Sequence, residues 1–133
     1  MRKFKGDAVR DTNEGKISYY GFRHPLVEHS FGKYMLGHQI CADGSKRQAN
    51  NWWSGWSEDV SIDSLIRHTE ELQQIHAGLC VYHIRDFQGE RTIVSIKPLK
   101  DLEKFGARVN KDDCYNAIRF NCGAGLLEYL KNK

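Results

Sequence analysis

All three tryptophans of the chain fall within five residues, in the run Asn50-Asn51-Trp52-Trp53-Ser54-Gly55-Trp56. No regular element accounts for that crowding. A helix stripe does not need its rings so close, and a strand would send neighbours to opposite faces. The run predicts a shaped loop of flat apolar rings and hydrogen-bonding amides. Such a loop either clamps a planar ligand or plugs the top of a core.

The 133 residues predict a single domain spanning 1–133, long enough to bury a core without staples. With 40% hydrophobic and 28% charged residues, the composition is that of an ordinary soluble globular protein. A net charge of +3 is too weak for a dedicated nucleic-acid binder, so no sequence-specific nucleic-acid partner is expected. No stretch approaches the roughly 18 apolar residues that would span a bilayer, and the basic N-terminus has no apolar core behind it to make a signal peptide. Cys41, Cys80, Cys114 and Cys122 form no CxxC pair, which argues against a zinc ribbon or a thioredoxin-like motif. Cys114 and Cys122, eight apart in an apolar helical pattern, read as reduced core residues of a cytoplasmic protein.

Along the chain, residues 1–23 are polar and aperiodic and read as an extended arm. Pro25 then opens a pattern of Leu26, Val27, Phe31, Tyr34, Met35 and His38 that predicts an amphipathic helix over about 25–40. Ala42-Asp43-Gly44-Ser45 is a turn signal. Asp59 or Ser61 is positioned to cap a second helix, with Ile62, Leu65, Ile66, Thr69 and Leu72 on its apolar side, ending at Gly78. Val81–Ile84 and Thr92–Ile96 are β-branched and alternating around Gln88-Gly89-Glu90, which predicts a small hairpin near 80–97. Residues 99–110 read as a short helix or a loop. A last helix over about 112–130 carries Cys114, Ile118, Cys122, Gly125 and Tyr129 on one face, and Gly123, Ala124 and Gly125 would let a neighbouring helix approach closely.

Two acidic pairs bear on chemistry. Glu70-Glu71 lies on the second helix and Asp112-Asp113 opens the last one. Packed side by side, the helices could converge carboxylates on a hard divalent cation. Equally, the first pair could be a solvated face and the second could complement a helix dipole. Asn116 and Asn121 are unusual inside a helix, either as ligand-binding or as hydrogen-bonded core amides. Arg67, beside His68, suits a phosphate or an ion pair with Glu71 one turn on. The six histidines form no HExxH, and neither a GxGxxG nor a Walker loop is present.

These ordered residues resemble a known family. Arg10-Asp11-Thr12, Glu14-Gly15-Lys16, Pro25-Leu26-Val27, Tyr34-Met35, His38, Ala42–Ser45, Asn51-Trp52, Gly55, Asp59-Val60, Ser64–His68, Asp112-Asp113, Phe120-Asn121 and Gly125 are similar to the phage-associated dATP/dGTP diphosphohydrolase (MazZ-like) family. That family is presumed related to the all-α MazG-type nucleotide pyrophosphohydrolases. The resemblance implies a mainly α, MazG-like helical bundle with the hairpin as an insertion. It implies a homo-oligomer, dimer or tetramer, acting in the host cytoplasm if phage-encoded. The implied reaction is metal-dependent hydrolysis of purine deoxynucleoside triphosphates to monophosphate and pyrophosphate, with Mg2+ or Mn2+ held by clustered carboxylates. This sequence departs from the family's ExxE and ExxD pattern: Gln73 and Gln74 follow Glu70-Glu71, and Asn116 follows Asp113 where an acid is expected.

On this reading Glu71 and Asp113 are the catalytic pair and, with Glu70 and Asp112, the metal ligands. Lys16, His38 and Arg67 would meet phosphates, and His68 is a further nucleotide-binding residue. Asn51, Trp52 and Asn121 would position base or sugar, while Trp53 and Trp56 would serve packing. The alternatives are a non-catalytic nucleotide binder, for example a sensor or sponge in phage counter-defence, and a structural oligomer subunit.

Overall fold

A computed structural model of the chain describes residues 2–3, 6, 9–12, 14–41 and 43–133. At the N-terminus two short strands, β1 (Arg2–Lys3) and β2 (Val9–Arg10), pair antiparallel. A single helical turn, α1 (Tyr19–Phe22), precedes α2 (Pro25–Gly37). Pro25 takes the first helical position, where its missing N–H costs nothing, and the His24 imidazole accepts from the Leu26 amide at 3.2 Å. The predicted end near 40 falls back to 37, because the described residues on either side of Ala42, 38–41 and 43–47, fold back on one another; Ala42 of the expected turn lies outside the described residues. The Asp43 carboxylate turns the chain by accepting from the Ser45 amide at 2.9 Å, and the Arg47 amide bonds to the Gln39 carbonyl at 2.7 Å.

The tryptophan run is a 3-10 turn over Asn51–Ser54 that leaves through Gly55 at φ +84°. It leads into α3 (Glu58–His76). The strands β3 (Cys80–Asp86) and β4 (Gly89–Ser95) form the expected hairpin, in register from Cys80↔Ser95 to Asp86↔Gly89. A third strand, β5 (Gly106–Arg108), pairs with the other edge of β3. The chain closes with α4 (Lys111–Lys131).

The expectation of a mainly α, MazG-like bundle carrying a hairpin insertion is therefore corrected. The fold is mixed α/β, 52% helix and 16% strand, with a three-stranded antiparallel sheet in the order β4-β3-β5. With a partner on each edge, β3 is the central strand and supplies much of the core. Cys80, Tyr82 and Ile84 are buried on one face against Ile93, Leu99 and Leu102, and the Tyr82 hydroxyl accepts from the Leu99 amide at 2.8 Å. The opposite phase, Val81 and His83, faces the helices. Val81 is fully buried. Gly106 makes this sheet possible. A Cβ there would collide with the His83 carbonyl, so β5 can lie against β3 only with glycine at that position.

α3 and α4 run antiparallel. Ser61 lies beside Gly125, where an added Cβ would meet the Ser61 Cβ at 3.3 Å. At the far end the Lys111 ammonium donates to His76 Nδ1 at 2.9 Å. The small residues of α4 thus allow the close approach anticipated for them, at Ala124 and Gly125, while Gly123 stays exposed. α2 is fixed to α4 by Asn116, whose amide donates to Ser30 Oγ at 2.9 Å. The Glu28–Arg119 ion pair at 3.0 Å adds to this, with the Arg119 guanidinium 4.1 Å over the Phe31 ring.

The apolar stripe expected to bury α3 does so only in part. Leu65 and Leu72 are half-buried, Ile62 and Ile66 stand 45% and 62% exposed, and the fully buried residues of the helix are Ser61 and Glu71. On α4, Cys114 is buried as expected but Cys122 is exposed. Among the described residues, no helix is long and apolar enough to cross a membrane.

Candidate functional site

Tyr34 and His38 sit one turn apart at the C-terminal end of α2, with ring centroids 4.0 Å apart. His38 Nδ1–H donates to the Tyr34 carbonyl at 2.8 Å, which leaves Nε2 as the acceptor nitrogen of the ring. These two side chains form a wall common to two cavities.

The first cavity, about 130 Å³, has a mainly apolar lining with several polar side chains. Part of that lining is aromatic. Trp52 and Trp56 flank Phe120 at 5.9 and 5.8 Å between centroids. Trp56 Nε1–H donates to the buried Ser61 Oγ at 2.8 Å, which satisfies the indole and fixes its ring. Asn51, Gln48, Gln39 and Arg47 supply polar side chains to the lining. An apolar cavity of about 150 Å³ accepts one benzene-sized ring, so this one has room for about a single flat ring. The loop holds its shape from below: the Lys131 ammonium donates to the Trp53 carbonyl at 2.6 Å, and a side chain at Gly55 would meet Glu128 Oε2 at 2.6 Å.

The second cavity is charged. His68, Glu71, His83, Arg108 and Asp113 line it together with Tyr34 and His38. Glu71 is 4% exposed. Its carboxylate accepts from His68 Nδ1 at 3.2 Å and from His83 Nε2 at 2.8 Å, so that both oxygens are hydrogen-bonded, as a buried carboxylate requires. Asp113, by contrast, is exposed. The acidic character of this compartment registers on its neighbours. Burial, then the charges of Glu71, Asp113 and Asp112, pushes the Cys114 thiol up to about 11. Burial, then Asp113, raises the Tyr34 phenol.

The structure brings His38, Asn51 and Trp52 to the first cavity and His38, His68, Glu71 and Asp113 to the second. It places the other sequence candidates elsewhere. Glu70 and Asp112 are exposed and line neither cavity. Arg67 points along α3 and donates to Ser64 Oγ at 3.2 Å. Asn121 is buried, donates to the Ala117 carbonyl at 2.8 Å, and faces the groove between α3 and α4. Lys16 lies exposed in the N-terminal segment. Trp53 turns outward, and Trp56, expected only to pack, also lines the base cavity.

Sequence reading missed Tyr34, Arg47, Gln48, His83, Arg108 and Phe120 as lining residues. His83 had a signal: in a strand of period two it shares a phase with Val81, so a polar ring points where the core should be. Arg108 had none, because β5 is too short to show a pattern.

The carboxylate cluster that the resemblance implies is not assembled by these residues. Among the described residues, no three His, Cys, Asp or Glu side chains converge in a way that could hold a metal ion. Glu71 and Asp113 do line one compartment, and Mg2+ characteristically takes one or two carboxylates and completes its shell with water and substrate phosphates.

No protein-family profile, curated protein or solved structure matches the chain.

Proposed function

We propose that the protein hydrolyses purine deoxynucleoside triphosphates, dATP or dGTP, to monophosphate and pyrophosphate. One observation carries the reading: a ring-sized aromatic cavity and a carboxylate–imidazole cavity share the Tyr34–His38 wall. A nucleotide has that same polarity, a flat apolar base at one end and charged phosphates at the other.

In this arrangement the base inserts among Trp52, Trp56 and Phe120, with Asn51, Gln48 and Arg47 at its edge. Stacking of this kind contributes about 1–3 kcal/mol per base. The triphosphate passes His38 and meets His68, His83 and Arg108. A water oriented by Asp113 attacks the α-phosphorus, its proton passes to the Asp113 carboxylate, and the bond from the α-phosphorus to the α–β bridging oxygen breaks. Pyrophosphate departs with that bonding pair. Mg2+ or Mn2+, which Glu71 and Asp113 would hold, supplies neutralisation of the phosphate charge. The reading includes a homo-oligomer, dimer or tetramer, working in a host cytoplasm.

A second reading, a nucleotide binder without turnover, is favoured by the two imidazoles that already occupy Glu71. The two separate in one experiment. Purified protein is incubated with dGTP and dATP, with manganese or with EDTA, and the products are resolved while nucleotide binding is followed by thermal shift. The hydrolase forms pyrophosphate only with the metal. The binder shows a thermal shift that survives EDTA and forms no product. No shift and no product with any nucleotide removes both readings.

A further inference from the structure

We propose that the open cleft beside the aromatic cavity binds a second nucleotide, joined by a phosphodiester to the one whose base enters that cavity. This role for the cleft rests on the base-binding part of the proposed function, not on its hydrolytic step. The cleft has a volume of about 560 Å³. Arg47, Gln48 and Asn51 line both it and the aromatic cavity, so a ligand seated in one can run on into the other.

The lining suits a phosphate beside a ring. Lys46 and Arg47 bring two positive charges, and among the described residues no acidic side chain lines the cleft. Neither cation has an ion pair or a side-chain hydrogen bond among the described residues. Their backbone is nonetheless fixed. Lys46 bridges to Ile40, and the Arg47 amide donates to the Gln39 carbonyl at 2.7 Å. Two cations on a fixed backbone, with no carboxylate to neutralise them, attract an anion, and the arginine fork matches phosphate oxygens. Asn50 and Ser54 add neutral hydrogen-bonding groups.

Trp53 supplies the ring. It stands 57% exposed in the wall of the cleft, on a backbone that Lys131 holds through the Trp53 carbonyl at 2.6 Å. Its ring is set edge-on to Trp52, at 87° with centroids 6.4 Å apart. Bases stacked along one strand lie about 3.4 Å apart. A ligand that reaches both rings is therefore unstacked, its two bases splayed at nearly a right angle. Splayed bases on aromatic faces, with the backbone on cations, are bound with little regard to sequence. A net charge of +3 provides no track for a long strand, so the ligand is a dinucleotide.

The test is titration calorimetry with dGMP, with the phosphodiester-linked dinucleotide of deoxyguanosine, and with its methylphosphonate analogue, which keeps both bases but loses the linker charge. The proteins are wild type, Trp53→Ala and Lys46→Ala. Both side chains are exposed, and the analogue puts the charge question to the wild type without any substitution. Wild type should bind the dinucleotide at least about 5-fold more tightly than dGMP, the equivalent of one added stack. It should bind the analogue more weakly than the dinucleotide, and that difference should shrink in Lys46→Ala. Trp53→Ala should lose the gain over dGMP and leave dGMP binding unchanged. Binding of dGMP with no gain for the dinucleotide overturns the proposal and leaves the base cavity standing. Equal weakening of both ligands in Trp53→Ala also overturns it. A tetranucleotide that binds more than about tenfold tighter than the dinucleotide replaces the dinucleotide with a strand and overturns it too. Binding of none of these ligands removes the base cavity along with the cleft.

Discussion

His83 Nε2 donates to Glu71 Oε1 at 2.8 Å, joining the central strand of the sheet to the middle of α3. The contact closes the charged cavity on one side and holds in place a carboxylate that is almost wholly withdrawn from water. Through it the sheet becomes a wall of the site, not an appendage to the helices.

Replacing His83 with alanine removes one of the two donors to that carboxylate. His83 is half-exposed, so the stability loss should sit near the low end for a charge-assisted bond, about 1 kcal/mol. Urea denaturation checks this. The loss of turnover should be larger than the loss of stability, because Glu71 is then free to move. A variant with full stability and full turnover would show the contact to be incidental.

Gly106→Ala should be far more damaging than an ordinary strand substitution. The new methyl collides with the His83 carbonyl, so β5 must separate from β3, and Ala107 and Arg108 go with it. A loss of about 3 kcal/mol or more is expected, beyond the usual cost of overpacking. Hydrogen exchange should show protection falling first along β3 and β5. Unchanged protection there would mean that the two strands are not held together as described.

Why was the sheet's role hidden while the helices were plain? Pro25, the α3 periodicity and Gly78 mark their elements locally, and the hairpin showed itself in alternating β-branched residues. β5 has three residues, Gly106, Ala107 and Arg108, none with strand preference, and it exists because β3 offers an unpaired edge. That one pairing converts a hairpin into a core sheet. The same holds for the site. Glu71, Asp113, Asn51 and Trp52 stood out by type and neighbourhood, and His38 came from the family resemblance. Arg47 and Phe120 join them only because the 38–47 turn and α4 bring distant segments to one place. For Glu70 against Glu71, the sequence shows two adjacent acids. A helix rotates neighbours by about 100°, and only packing decides which of them turns inward.

Trp52→Ala should weaken nucleotide binding by roughly 5–150-fold, the equivalent of about 1–3 kcal/mol of lost stacking. Trp53→Ala, on the outward ring, should leave it unchanged. Titration calorimetry with dGTP compares the two directly. Equal effects at both positions would mean that the aromatic cavity does not hold the base.

Alkaline pH should destabilise the fold in a way that traces to Cys114. In the native state the thiol titrates at about 11, against 9.0 for an unperturbed cysteine. Between those values the unfolded chain releases a proton that the folded chain retains, so stability falls as pH rises through that window. The fall from this residue is at most about 3 kcal/mol, and the raised Tyr34 phenol adds to it with the same sign above its ordinary range. Cys114→Ala should flatten the profile between pH 9 and 11, read from denaturation midpoints. A slope that is unchanged in the variant would assign it to other groups.

The most direct measurement of the central claim is pyrophosphate release from dGTP and dATP in the presence of manganese, comparing wild type with Asp113→Asn and Glu71→Gln. Wild type should release pyrophosphate and monophosphate in equal amounts. Neither variant should release any above background, while both should still bind nucleotide at the Trp52 cavity. Pyrophosphate release that continues unchanged in both variants, or a wild type that neither binds nor consumes either nucleotide, would contradict it.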